Sequence, residues 1–330
     1  RDFPNVDWSL LVSNILDPDH GCFAHTLLSF DYYSASPEYP LHLEENFDDA
    51  GWILSSQVDA VEKVMKVDHE NRKALGMKTK KGKSSMESLQ ATSFFQAPTT
   101  ISLCRRDSNG DTKFITAFWV TPVGTGRSRF MTAAVSNTFP FKLPRWALNI
   151  NLNRFLDQDT VLVASQQPPL LKAEAQGIEK PRASLFTYGS ATDKAVRLID
   201  QFWDATLSKA PNRQLTLQHL YQSGQLNRMP SRDVILDRKT QHLDVCPDSQ
   251  GFVRKCRLIR NGCVSGLATA LICALWQRVL PTKRWLPLVL GAIVMAWVTD
   301  QLQRQFFFVK TATSRDKDLQ QIPVQAWLDP

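Results

Sequence analysis

Two uncharged apolar runs limit what this chain can fold into more than any other feature. Asn261–Gln277 and Trp285–Thr299 carry no charged side chain over 17 and 15 residues, and nearly every position is apolar or small. A helix with one wet face would show a stripe, and these runs show none. Inside lipid, backbone polar groups are satisfied only within helices or closed barrels, so the runs predict a membrane-anchoring helical hairpin over 261–302. Each is short against the roughly 20 residues that cross a hydrocarbon core of about 30 Å. Little tilt or a thin membrane is therefore expected, with Trp276, Trp285 and Trp297 at headgroup depth and Lys283 and Arg284 between the runs. A pair of core helices in a soluble protein is the alternative. A hairpin would return the mixed tail, 303–330 with Phe306–Phe308, to the side of the N-terminal part.

The remainder reads as a mixed α+β domain over 1–230, followed by a basic, cysteine-containing linker over 231–260. Residues 26–50 show no periodicity and read as loop. Trp52–Met65 reads as a strand passing into a short helix, through Ile53, Leu54, Val58, Val61, Val64 and Met65. Thr99–Arg105, Lys113–Thr121 and Ser128–Val135 are β-branched and aromatic runs, separated by Asn109-Gly110 and by a turn over 122–126. They predict an antiparallel, hairpin-connected sheet. On a helix, Leu148, Leu152, Phe155, Leu156, Leu162 and Val163 share one face, with Asp159 in its middle and Asp157 turned away. Pro168 and Pro169 are expected to stop this helix. The next is expected near Ser190, with Ala195, Leu198, Ile199, Phe202 and Trp203 as its core face.

Net charge is +7, but the excess is local to Lys73, Lys78, Lys80, Lys81 and Lys83. No aromatic residues interleave that run, so it reads as a solvated loop and argues against nucleic acid as a partner. The chain starts at Arg1 without an apolar signal core, as a fragment or processed product would.

Asp17, His20 and His25 stand within nine residues of a chain that has only six histidines. Two imidazoles suit iron, zinc or copper, and a carboxylate would complete the facial triad of an oxygen-activating Fe(II) site. On an ideal helix the two histidines lie about 140° apart, so they converge only if the helix ends or distorts between them. Pro18 and Gly21 make such a turn feasible. Two unrelated histidines near a helix end are the alternative. A buried carboxylate needs a metal, a hydrogen-bonding partner or a cation, and Asp159 is the one that periodicity places on an apolar face. It is therefore either the third ligand or the partner of an arginine.

Asn14-Ile15-Leu16-Asp17-Pro18-Asp19-His20, followed by His25, resembles the mononuclear-iron motif of Rieske-type non-haem oxygenases, in the branch that includes pheophorbide a oxygenase. Gln158-Asp159 with Leu162 and Gln166 resembles the segment that supplies the iron carboxylate in that family. The turn Pro122-Val123-Gly124-Thr125-Gly126 with Arg127, Ser128, Arg129 and Phe130 resembles a strand-turn signature of the same branch; arginines that merely solubilise a turn are the alternative, and no catalysis is assigned there.

The resemblance implies a helix-grip catalytic domain, an antiparallel sheet wrapped on a long helix around an apolar pocket, and the metal ligands His20, His25 and Asp159. It implies that Asp17 passes electrons to the iron from a 2Fe-2S Rieske cluster in a neighbouring subunit of a homotrimer. It further implies ferredoxin as electron donor, O2 as co-substrate, a chlorophyll-derived tetrapyrrole as substrate and a chloroplast membrane as location. A chlorophyllide a oxygenase-like enzyme and a non-enzymatic redox or structural subunit of a plastid membrane complex are the alternatives. The six cysteines form no C-x2-C and no C-x-H pair, so the cluster is expected on a domain upstream of Arg1. Where plant relatives carry a C-x-x-C, this chain has Cys246-Pro247-Asp248-Ser249, which puts a thiol switch in doubt.

Overall fold

The structure, a computed structural model, describes residues 1–17, 20, 42–43, 51–58, 89–107, 109–136, 143–189, 193–207, 210–227, 229–277 and 285–307. Two compact units divide them. One holds residues 2–136 and 155–235; the other holds Arg1, 143–154 and 236–307.

The first unit is built on a seven-stranded sheet, every pairing of which is antiparallel. Its strands are β1 (Asp2–Phe3), β2 (His42–Leu43), β3 (Gly51–Val58), β4 (Leu89–Gln96), β5 (Thr100–Arg106), β6 (Thr112–Gly124) and β7 (Arg127–Ser136), in the order β1-β7-β6-β5-β4-β3-β2. The three runs read as strands from sequence are β5, β6 and β7. The β5–β6 turn closes because the Asp107 carboxylate accepts from the N–H groups of Asn109 (3.0 Å) and Asp111 (2.9 Å) while Gly110 takes φ +87°. β3 accounts for the first half of the segment at 52–65; its second half lies outside the described residues, as does most of 26–50.

The core of this unit lies between the sheet and its helices. Phe3, Ile101, Val120 and Phe130 are buried from the strands. Leu10, Leu11, Val12 and Leu16 are buried from α1 (Trp8–Leu16). Three further helices belong here whole: α3 (Pro181–Leu185), α4 (Lys194–Thr206) and α5 (Pro211–Gln222), preceded by the long α2 (Arg145–Ala175). Trp203 of α4 meets Trp8 and Phe95 edge-on at ring-centroid distances of 4.8 and 6.1 Å. The expected α4 core residues Ala195, Ile199, Phe202 and Trp203 are buried.

Two expectations about α2 fail. It does not stop at Pro168 but runs through both prolines to Ala175. Leu170 and Leu171 just beyond them are fully buried, and that packing outweighs the intrahelical hydrogen bonds the prolines cannot donate. Nor does one stripe run its length, because Leu148 is exposed and Ile150 is buried instead. Residues 145–154 belong to the second unit and 155–175 to the first, so the buried face is set by different neighbours in each half.

In the second unit Ile150, Leu243, Val253 and Phe306 form a core, flanked by Trp146, Phe252, Leu302 and Phe307. Trp146 stacks on Phe252 at 4.2 Å. After the short helices α6 (Arg232–Ile235), in the first unit, and α7 (Arg238–Gln241) come the two long apolar ones, α8 (Pro247–Gln277) and α9 (Leu286–Arg304). They pack on each other, and Arg260 of α8 pairs with Asp300 of α9 at 3.0 Å. Both are long and apolar enough to cross a membrane. The architecture is therefore mixed helix and antiparallel sheet with two apolar C-terminal helices.

Candidate metal centre

α1 ends at Leu16 and Asp17 follows in extended geometry (φ −84°, ψ 105°). From there Asp17 holds His20 at two points. Its carboxylate accepts the His20 backbone N–H at 3.2 Å, and its main-chain carbonyl meets His20 Nδ1. A carbonyl can only accept, so Nδ1 carries the proton and Nε2 carries the lone pair of a neutral ring. Burial pushes the imidazole down to about 4, against the opposing effect of the Asp17 carbonyl. The side chain still keeps 14% of its surface exposed. The ring is thus neutral and reachable.

His20 Nε2 faces Asp159 Oδ1 of α2 at 3.5 Å, and the Asp159 side chain is only 6% exposed. An imidazole nitrogen and a carboxylate oxygen are donor types that a divalent metal takes together. Two cis ligands of a divalent metal, each about 2.1 Å from the ion, stand about 3 Å apart. The chemistry and spacing of this donor pair are compatible with a metal ion. His25 lies outside the described residues. Among the described residues no cluster of three His, Cys, Asp or Glu side chains has metal-site geometry.

Asp157, which the helical wheel turned away from the apolar face, is as buried as Asp159; Leu156, Gln158 and Thr160 are buried too. Here α2 is enclosed all round, so facing sides no longer separate one carboxylate from the other. What distinguishes Asp159 is its position opposite His20.

The turn after β6 proves structural. Gly126 takes φ +71°, and an added Cβ would stand 3.1 Å from Gln167 Nε2 and 3.3 Å from Leu171 Cδ1. Its N–H donates to Asp7 Oδ2 at 3.0 Å, and Gln167 bonds both the Asp7 N–H and the Gly126 carbonyl. Ser128, fully buried, donates to the Val6 carbonyl at 3.0 Å, while Arg129 grips Asp2 at 2.6 and 2.9 Å. The signature thus ties the N-terminal segment to α2, and α1 hands that segment on to Asp17 and His20.

Sequence reasoning missed a buried ionic network. Arg182, fully buried, lies 3.0 Å from Glu174, 3.5 Å from Asp204 and 3.7 Å from Asp200, and donates to Ser9 at 2.7 Å. Arg213 binds Glu174 at 2.7 Å and Asp7 at 2.9 Å. Burial would push the Asp7 carboxyl up, but Arg213, Ser9 and the Gly126 N–H hold it below the usual range. Burial does push the Asp200 carboxyl up, against Arg182 and the hydroxyls of Ser13 and Tyr188. The available signal was the pair Asp200 and Asp204, spaced i, i+4 on either side of Trp203 in an apolar helix face.

A cleft of about 200 Å³ beside this network is lined by Glu174, Arg182, Trp203 and Asp204 among others, and by neither His20 nor Asp159. It is too small and too charged to hold a bulky apolar ligand.

Residues 95–176 match the family model described as pheophorbide a oxygenase. Over that segment the chain is similar to the pheophorbide a oxygenase family. No curated protein matches the chain. The matched segment is a quarter of the sequence and runs from the end of β4 through all of α2. It contains Gly126, Gln167 and Asp159 but begins well after Asp17, His20 and His25. The pheophorbide a oxygenase match and the histidine motif are thus separate observations, joined by the contact between His20 and Asp159. The family is one of oxygenase-type enzymes. Cys22-Phe23-Ala24-His25 has the C-x2-H spacing of half a Rieske ligand set, but with no C-x-H elsewhere it does not complete one, and both of its candidate ligands lie outside the described residues.

Proposed function

We propose that this chain is the mononuclear-iron catalytic part of a Rieske-type oxygenase, held in a plastid membrane by α8 and α9, that oxygenates a chlorophyll-derived tetrapyrrole. The observation that carries this reading is the apposition of a neutral His20 Nε2 and the Asp159 carboxylate, one donor on the histidine motif and the other inside the segment similar to the pheophorbide a oxygenase family. His20, His25 and Asp159 would hold Fe(II), which supplies O2 activation when bound. Asp17 fixes the imidazole: its carbonyl holds the Nδ1 proton and so points the Nε2 lone pair at the ion site. The Asp17 carboxylate secures the His20 backbone and presents a negative charge beside the ligand, on the route by which electrons from a 2Fe-2S Rieske cluster would enter. That cluster, reduced by ferredoxin, would belong to a neighbouring subunit of a homotrimer. Anchoring by 261–302 keeps the 1–230 catalytic domain at the membrane from which a hydrophobic tetrapyrrole arrives.

The test is metal content after anaerobic loading of the full chain with Fe(II). His20→Ala, His25→Ala and Asp159→Ala should each lose most of the iron, and Asp157→Ala should retain it. An Asp159→Ala protein that binds iron as the parent does would remove Asp159 from the site. A parent chain that takes up no iron at all would favour the alternative of a structural or redox subunit.

A further inference from the structure

Resting on the membrane reading above, we propose that Arg254, Lys255 and Arg257 of α8 form a docking surface for the anionic headgroups of one membrane leaflet. All three side chains are exposed, while Val253 and Cys256 of the same turns are buried in their own unit. The cations therefore point outward. Nearby charges are already matched: Arg145 pairs with Asp248 at 3.0 Å, Lys239 with Asp244 at 2.9 Å, and Arg260 and Arg304 both bind Asp300, at 3.0 and 2.6 Å. Among the described residues, no carboxylate pairs with Arg254, Lys255 or Arg257. Among the described residues these three positive charges have no counter-charge, and they stand next to the run that is apolar enough to enter lipid.

Their depth fits headgroups rather than hydrocarbon. The uncharged run begins at Asn261, so at 1.5 Å per residue Arg257 lies about 6 Å and Arg254 about 10 Å before it along the helix axis. The headgroup layer on each side of the hydrocarbon core is about 5–8 Å thick, within reach of these long side chains. Leu258 and Ile259, 67% and 47% exposed, sit among the cations, giving the mixed basic and apolar surface of an interfacial segment. An anionic leaflet attracts each such cation by about 1 kcal/mol, roughly fivefold in binding.

The full chain in neutral detergent is offered to preformed vesicles of phosphatidylcholine alone, or of phosphatidylcholine with equimolar phosphatidylglycerol. The carbonate-resistant bound fraction is read at low and at high salt. Anionic vesicles should take up at least about tenfold more chain at low salt, and the advantage should shrink at high salt. The triple variant Arg254→Gln, Lys255→Gln, Arg257→Gln should lose that advantage yet enter neutral vesicles as the parent does. A parent chain that enters neither vesicle overturns the membrane reading itself. Equal entry into both vesicles, or a triple variant that keeps the anionic preference, overturns only the headgroup surface and leaves an acidic protein or plain solvation as the partner of these cations.

Discussion

Asp17 works on His20 through two different atoms, and a substitution can separate them. The carbonyl that orients the imidazole belongs to the backbone and survives any side-chain change. The carboxylate that caps the His20 N–H can be replaced by an amide oxygen with the same geometry. Asp17→Asn should therefore bind nearly as much Fe(II) as the parent and lose turnover, by on the order of tenfold to a hundredfold, as when a group that orients a metal-binding imidazole is altered. Anaerobic iron content and single-turnover rate, measured on the same preparation with the electron-donating partner present, check this. An Asp17→Asn protein that loses iron as completely as His20→Ala would make Asp17 a ligand. The sequence singled out His20 and Asp159 for different reasons, one through a local motif and the other through an apolar face, and the structure brings the two side chains to 3.5 Å. The helical wheel set Asp157 on the far side from Asp159, yet both are buried, because a helix enclosed on all sides no longer reports its orientation through hydrophobicity.

Among the elements, strands were the more legible. β5, β6 and β7 declared themselves through β-branched runs ended by glycine turns whose positive φ the structure confirms at Gly110 and Gly126. α2 was misjudged at its end because burial of Leu170 and Leu171 is a tertiary fact with no trace near Pro168. The ionic network on α1, α2, α3, α4 and α5 was hidden for a similar reason: Arg182 and Ser9 lie 173 residues apart. Its four carboxylates, Asp7, Glu174, Asp200 and Asp204, face two guanidinium groups, and burial above all, with repulsion from Asp204 as a smaller cause, favours a proton on Asp200. An acid raised above its ordinary 3.8 by folding stabilises the fold where it is protonated. That contribution is whole below the ordinary value and is lost as pH rises through the raised one. Asp7 has the opposite sign, with stability present above 3.8 and lost as pH falls through its lowered value. Asp200→Asn imitates the protonated acid, so its melting temperature should gain on the parent's as pH rises from about 4 to 8. A parent-to-variant difference that stays flat over that range would show that Asp200 is ionised throughout. Removing a cation instead, as in Arg182→Met, should destabilise at every pH in this range, by about 3–5 kcal/mol, because it leaves buried carboxylates uncompensated.

For the molecule as a whole, the decisive question is which solvent surrounds α8 and α9. A chain cut after residue 258 would not answer it cleanly, because Phe306 is fully buried in a core with Ile150, Leu243 and Val253, and the cut would remove it. Single charges on the outward faces leave that core alone. Leu271 and Ile293 are 61% and 49% exposed and lie near the middle of the two apolar runs. If water surrounds them, Leu271→Lys and Ile293→Lys are ordinary surface changes, within about 0.5 kcal/mol of neutral. If lipid does, each lysine near mid-helix costs about 2.5–3.5 kcal/mol. Each variant should then reduce the carbonate-resistant membrane fraction, and the double variant should reduce it further. Should both single variants stay as membrane-resistant as the parent and melt at the parent's temperature, α8 and α9 are helices of a water-facing unit. The 17- and 15-residue runs understated these helices, which reach 31 and 19 residues by extending into polar sequence at Pro247–Arg260 and at Asp300–Arg304. The Arg260–Asp300 pair stands where those polar extensions begin, so the apolar stretches of both helices are bounded at that end by one matched pair of charges. A bilayer would have its edge there, and the lysine at 271, eleven residues further along α8, would sit about 16 Å beyond that edge, near the centre of a ~30 Å core and at the limit of snorkelling.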